Sequence, residues 1–413
     1  MKIGTNNNLH LTYCTNIHPG EEWEKVFANL KQYIPPLKTK LAPEKLFGIG
    51  LRLAEIAARE LLTGDTLTEF KSWLTENNLY VFTLNGFPYG QFHQKVVKDQ
   101  VYAPDWSKQE RLDYTLQLTQ ILAELLPPGM EGSISTLPLS YKPWFKGNQL
   151  VQAPVFINAS LNIAQVVEQM VRIRLEQGKI LHLDLEPEPD GLIENAVEVV
   201  DYFQLYLLPI AGSYLSKQLG ITKEAAEGYI LDHVRICYDT CHFAVEYEDP
   251  MSVILQFQAA GIRIGKIQIS AALQVQIPQD VQKRHLLIRR LQPFAESTYL
   301  HQVVARTRHN RLIHYRDLDE ALLKLENTID EEWRIHFHVP IFIHDYQLLK
   351  STQSDIENVL ELLQSHHFCD HLEIETYTWE VLPDEIKLDL SASIGREFEW
   401  VMNKLSTKQL VLS

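Results

Sequence analysis

The feature that most constrains this chain is a rhythm. Short apolar runs alternate with longer amphipathic stretches, separated by polar turns. The runs are Leu11–Asn16, Phe47–Leu53, Leu79–Asn85, Gly132–Pro138, Ile180–Glu186, Val234–Asp239, Ile264–Ser270 and Leu372–Tyr377. Helical patterns follow most of them, over 21–38, up to Glu76, 108–126, 161–177, 192 to about 219, 250–260 and 355–366. Pro127-Pro128-Gly129 and Gly178 stop two of these, and Pro209 marks a break in a third. Strands alternating with helices favour a parallel sheet, and eight such units favour a closed (β/α)8 barrel over an open one. No GxGxxG or GxxxxGK[ST] motif supports a nucleotide-binding open sheet. The expected fold is therefore α/β, one barrel domain over residues 1–413. The rhythm breaks for about sixty residues after the seventh run, so 271–333 reads as a basic insertion or lid, followed by an extra strand-like run, Arg334–Ile343.

Composition excludes several classes. Hydrophobic residues are 45% and charged residues 22% of 413, which rules out a disordered or collagen-like chain. The net charge of −15 repels a phosphate backbone, so no nucleic-acid partner is expected. The opening residues lack an apolar signal core, and no stretch of about 20 apolar residues reads as a membrane span. Four cysteines, Cys14, Cys237, Cys241 and Cys369, are too few for a disulfide scaffold, which points to a reduced, cytoplasmic protein.

In such a barrel the chemistry sits at the C-terminal ends of the strands. Those ends carry Asn16 and His18, then Glu186 and Glu188, then Asp239 and His242, then Gln268, then Glu375. Any one of these carboxylates reads equally well as a helix cap or a solvated turn residue. Glu186, Asp239, Gln268 and Glu375, however, come from four successive strands. Three carboxylates around one cavity repel unless protons or a cation intervene, and a divalent metal (Mn, Mg or Zn) is the simplest resolution.

The order Glu186-Pro187, Asp239-Thr240-Cys241-His242, a seventh-strand ligand and Glu375 resembles the xylose-isomerase-like TIM barrels. These include sugar isomerases, ketose 3-epimerases and endonuclease-IV-type phosphodiesterases. The resemblance implies metal ligation by Glu186, Asp239, position 268 and Glu375, with His242 touching substrate. Gln268 stands where the family places a histidine; its amide oxygen can still ligate, and His338 is a further source of nitrogen. The segments 11–21 and 338–340 are similar to the EboE group, described as metabolite traffic proteins of bacterial ebo clusters. That likeness implies a small-molecule metabolite and partner proteins from its own biosynthetic cluster.

The expected activity is thus isomerase- or epimerase-like. Glu186 and Glu375 exchange a proton next to a carbonyl, and His242 orients a hydroxyl. The alternatives are a metabolite carrier that turns nothing over and a metal-dependent phosphoesterase of endonuclease IV type. From Lys283 to Arg316 there are eight Lys/Arg against one acid, Glu296. This span reads as a solvated face, a docking surface, or a lid gripping an anionic group. Arg52, His301 and Arg306 accordingly join Asn16, His18, Glu188 and His338 as expected substrate-binding residues.

Overall fold

The computed structural model describes residues 1–4, 8–90, 98–295, 300–346, 348–379 and 387–406; Glu296 lies outside them. The eight expected runs are eight parallel strands. These are β1 (Leu9–Tyr13), β2 (Phe47–Arg52), β3 (Leu79–Asn85), β4 (Glu131–Thr136), β5 (Ile180–Leu185), β6 (Val234–Asp239), β7 (Ile264–Ile269) and, last in the chain, His371–Ile374. Between β7 and that last strand run β8 (Ala271–Gln276), β9 (Val303–Thr307), β10 (Leu312–Tyr315), β11 (Asp330–Val339), β12 (Asp345–Tyr346) and β13 (Leu349–Ser351). The last barrel strand is therefore β14.

The barrel order is β1-β14-β7-β6-β5-β4-β3-β2, every pair parallel. The seam between β1 and β2 closes through a bridge from Cys14 to Gly50. Thr12 reinforces it: its hydroxyl donates to the Gly48 carbonyl (2.9 Å) and accepts from Gly50 N–H (2.8 Å). The fold is a (β/α)8 barrel. Its strands are buried almost throughout because helices cover one face and the barrel interior the other.

Gly50 is where closure is tightest. A Cβ there would sit 1.8 Å from Glu373 Oε1 and 2.7 Å from the Tyr13 carbonyl oxygen. Glu373 is held by a buried ion pair and has no room to retreat. Gly50→Ala is therefore expected to cost about 1–3 kcal/mol by overpacking. A thermal melt unchanged by the substitution would contradict this closure.

Helices fall close to their expected places, with instructive departures. The helix expected from residue 161 starts at Gln149 and ends at Gln177, with Gly178 at φ +70° as its left-handed cap. Its 150–177 portion is long and apolar enough to meet the criterion for crossing a membrane, contrary to the expectation that no segment would. Here it packs on the barrel through Ile163, Val167, Met170 and Val171. The expected break near Pro209 is a π-helical stretch, 203–207, immediately before it. A helix over Lys223–His233 and another over Leu390–Ser406 were not anticipated.

The segment read as a basic insertion or lid carries strands as well as helices. Strands β8–β13 form a second, antiparallel sheet in the order β10-β9-β11-β8-β13-β12. The strand-like run read as an extra is its central strand, β11, and the sheet extends to Ser351, well past residue 333. One residue, Ser270, separates β7 from β8, so this sheet springs from the C-terminal mouth. It packs on the loops there: Tyr247 Oη donates to the Glu332 carbonyl (3.1 Å) and Arg334 to the Ala244 carbonyl (2.7 Å).

Candidate metal centre

The barrel ladder itself aims the carboxylates. Glu186 and Glu375 each lie one residue beyond a strand, yet their N–H groups still bond across to Thr136 and Ile269 carbonyls (both 3.0 Å). Asp239 ends β6 and caps the helix Thr240–Val245. Its Oδ1 accepts from Cys241 N–H (2.7 Å), His242 N–H (3.1 Å) and Ser270 Oγ (2.6 Å). With one oxygen saturated by its cap, Oδ2 is fixed in direction and has no hydrogen-bond partner among the described residues, with His242 Nε2 at 3.7 Å and His338 Nε2 at 3.9 Å.

One ligand atom from each of Glu186, Asp239 and Glu375 lies within 4.8 Å of the other two, and all three side chains are buried. Glu186 Oε2, both amide atoms of Gln268 and His338 Nε2 also lack hydrogen-bond partners among the described residues. His338 Nε2 is 3.9 Å from Asp239 Oδ2, and its Nδ1 is 3.1 Å from the Glu375 carbonyl oxygen. Asn16 donates to Glu375 Oε1 (2.5 Å), with Asn85 more distant at 3.4 Å. Lys266 attracts the group from one layer below, but it is committed to Glu373 (2.7 Å) and Ser135 (2.9 Å).

The electrostatics follow. Burial, then repulsion from Glu375 and Asp239, pushes the Glu186 carboxyl far above its ordinary range. Burial leads again for Glu375, opposed by His338 and reinforced by Asp239 and Glu373, and its carboxyl is pushed up to about 7. Glu188 is raised mainly by burial as well. Burial drives His242 well below its usual value, so the ring is neutral. Orphaned buried oxygens with an amide oxygen and an imidazole nitrogen beside them are a donor set that fits a divalent cation.

Beside these groups opens a cavity of about 90 Å³, several times the space a single water needs. Its wall includes Asn16, Asn85, Phe87, Tyr102, Glu186, Glu188, His242, Gln302, His336, His338, Glu375 and Tyr377. Of the residues expected from sequence, Asn16, Glu186, Glu188, His242, His338 and Glu375 line it; Asp239 and Gln268 lie behind. Phe87 and Pro88, in the loop after β3, also reach the wall, whereas Tyr89 of the same loop packs on Tyr114, and Trp144 packs on Tyr141.

Four expected substrate contacts lie elsewhere. His18 bonds Tyr13 Oη (2.8 Å) and stacks on Tyr33, serving the wall of the barrel. Arg52 is consumed by the Gly20 and Gly90 carbonyls and by Glu21, pinning two loops. His301 stacks on Phe337 at 4.1 Å. Arg306 faces Glu332 directly across β9 and β11 and pairs with it at 2.9 Å. Two more cations of the basic window are engaged outside it: Arg308 pairs with Glu331, and Arg284 donates to the Pro278, Glu326 and Thr328 carbonyls. Arg306→Ala should cost less than about 1 kcal/mol and leave metal binding, followed by calorimetry, unaltered. A loss of metal binding would restore Arg306 to the site.

Sequence reading overlooked Asn85, Tyr102, Gln302 and His336. Asn85, at a strand end, and His336, two residues before His338 on a strand-like run, offered a signal. His336 and His338 share one face of β11, while Trp333, Ile335, Phe337 and Val339 fill the other. The β11–β8 ladder shifts register between Ile335 and Val339, which frees this stretch to turn its imidazoles into the cavity.

The sequence matches no protein-family model and no curated protein. Solved structures align with this chain at low identity. A xylose isomerase-like TIM barrel protein from Mycobacterium smegmatis, in complex with magnesium, aligns at 10% identity and TM-score 0.48, covering 97% of each chain. The IOLI protein with a bound zinc atom aligns at 12% and 0.44, covering 97% of this chain and 99% of that one. A D-psicose 3-epimerase in the presence of D-fructose aligns at 13% and 0.44, covering 98% and 99%. The structural neighbours of this chain are xylose-isomerase-like TIM barrels, among them sugar isomerase and epimerase proteins.

Proposed function

We propose that this protein is a divalent-metal-dependent isomerase or epimerase acting on a small polar metabolite. The observation that carries the reading is the buried trio Glu186, Asp239 and Glu375 converging beside a small cavity, with Gln268 and His338 at hand. A cation held there would polarise a substrate carbonyl and its neighbouring hydroxyl. The chain's own residues do the rest. Glu186 and Glu375 come from β5 and β14, the strands flanking β6 and β7. One removes the proton beside the carbonyl and the other returns it. His242, with its Nδ1 3.1 Å from the Pro187 carbonyl oxygen, presents Nε2 to a substrate hydroxyl. Asn16 holds Glu375 in place, and Phe87, Tyr102 and Tyr377 exclude water.

The likeness of residues 11–21 and 338–340 to the EboE group supports a role in metabolite traffic with partners from the same cluster. The segment 271–333 contributes Leu300 and Gln302 to the cavity wall, which supports its closing over substrate. The test is solvent exchange. Incubated in D2O with a panel of ketoses, aldoses and their acid derivatives, the metal-loaded protein should introduce deuterium at the carbon next to the carbonyl, seen by NMR. A second reading, a carrier without turnover, is favoured by Gln268 in place of an imidazole; it requires ligand binding with no exchange.

A further inference from the structure

Of the cations between residues 283 and 316, Arg284, Arg306 and Arg308 are held by backbone carbonyls or acids. Lys283, Arg289 and Arg290 are not. All three lie on the helix Val281–Leu291, and no acid pairs with them among the described residues. The helix carries no acid of its own. Asp280, which caps it, is used up by the N–H groups of Gln282 (2.8 Å) and Lys283 (3.1 Å).

Helical spacing puts Arg284, Leu287 and Leu291 on one side, and all three are buried. On the opposite side stands Leu286, 49% exposed, with Arg289 on one flank and Lys283 and Arg290 on the other. Two further elements adjoin this helix. The helix Leu318–Leu325 packs against it. The turn that follows is tied there: Arg284 donates to the Glu326 (2.9 Å) and Thr328 (3.0 Å) carbonyls, and His285 Nε2 lies 3.2 Å from Glu326 Oε1. From these elements Leu323 and Ile329 protrude, 86% and 74% exposed; with Leu150 they are the most exposed large apolar side chains among the described residues. Side chains that stand so far out line no groove for a rigid partner. They suit a fluid phase that they can enter.

Unpaired cations around an apolar anchor, with bare aliphatic side chains on the neighbouring elements, meet the two demands of a lipid interface. The cations take anionic headgroups, and the aliphatic groups enter the acyl boundary. A nucleic acid would satisfy the cations but offer nothing to Leu286, Leu323 and Ile329, and the chain's net charge of −15 repels it elsewhere. On a membrane, the acidic remainder of the chain can turn away beyond the short reach of the surface potential. We propose that the outer face of the helix Val281–Leu291, with Leu323 and Ile329, docks this protein on an anionic phospholipid surface. The docking elements belong to the insertion that also lends Leu300 and Gln302 to the cavity wall, so the membrane lies at the mouth end of the barrel. The inference stands apart from the metal centre and from the proposed reaction.

The test is sedimentation of the full-length protein with vesicles. At low salt, wild type is expected to pellet with vesicles of phosphatidylglycerol and phosphatidylcholine in equal parts. It should stay in solution with phosphatidylcholine alone, and high salt should release it. Lys283→Gln/Arg289→Gln should lower the apparent affinity by about 30-fold, and Leu323→Ser/Ile329→Ser by about tenfold or more. All four side chains are exposed, so thermal melts of both variants should match wild type. Wild type left in solution with the phosphatidylglycerol vesicles, or pelleting equally with phosphatidylcholine alone, would overturn the proposal. So would full vesicle binding by both folded variants, or binding to duplex DNA in preference to the vesicles.

Discussion

Glu375→Gln is expected to lower solvent deuterium exchange into substrate by about 10³-fold or more, the upper range for loss of a positioned acid–base group. The amide keeps an oxygen for Asn16, whose Nδ2 is 2.5 Å from Glu375 Oε1, so the local frame survives. What disappears is the group able to take or return a proton. The same change should stabilise the metal-free protein. Burial and its neighbours push the Glu375 carboxyl from 4.5 up to about 7. Between those values the folded chain holds a proton that the unfolded chain has released, so stability falls as pH rises through this window and stays lower above it. Removing the carboxyl should recover on the order of 3 kcal/mol at pH 8 and little at pH 4. Urea denaturation at the two pH values, beside NMR exchange, reads both effects. A variant with lost exchange and no pH-dependent gain in stability would mean that Glu375 is not buried among like charges.

Lys266→Met should be the most destabilising single change near the centre, by about 3–5 kcal/mol. Lys266 and Glu373 are both fully buried, 2.7 Å apart, in the layer beneath the carboxylates. Methionine fills the space and strands Glu373, whose other oxygen already lacks a partner among the described residues. The double variant Lys266→Met/Glu373→Leu should be markedly more stable than Lys266→Met alone, because no buried charge is left unpaired. Chemical denaturation measures both. Equal stability of the single and double variants would show that the pair does not carry the charge balance of the barrel interior.

The contrast between what was legible and what was not has a physical basis. A barrel strand is buried on both faces, so β2, β3, β5, β6 and β7 announce themselves as short apolar runs within one or two residues of their limits. Their ends project into one mouth, so Glu186, Asp239, Gln268 and Glu375 could be singled out by position alone. The second sheet is antiparallel and built by pairings far apart in sequence. Counting charges from 283 to 316 could not reveal that Glu332 sits opposite Arg306. Nor could it show that a register shift turns His336 into the cavity. The helix Lys223–His233 escaped because its buried face is only Ala226, Ile230 and His233, too sparse for a periodic signal.

The central claim is that three acidic side chains from β5, β6 and the end of β14 share one cation. Anomalous diffraction from crystals grown with manganese tests it most directly. The account predicts a strong peak about 2.0–2.3 Å from oxygens of Glu186, Asp239 and Glu375, bond lengths usual for hard divalent ions. Ordered density for all three carboxylates with no peak between them, at saturating manganese, would contradict it.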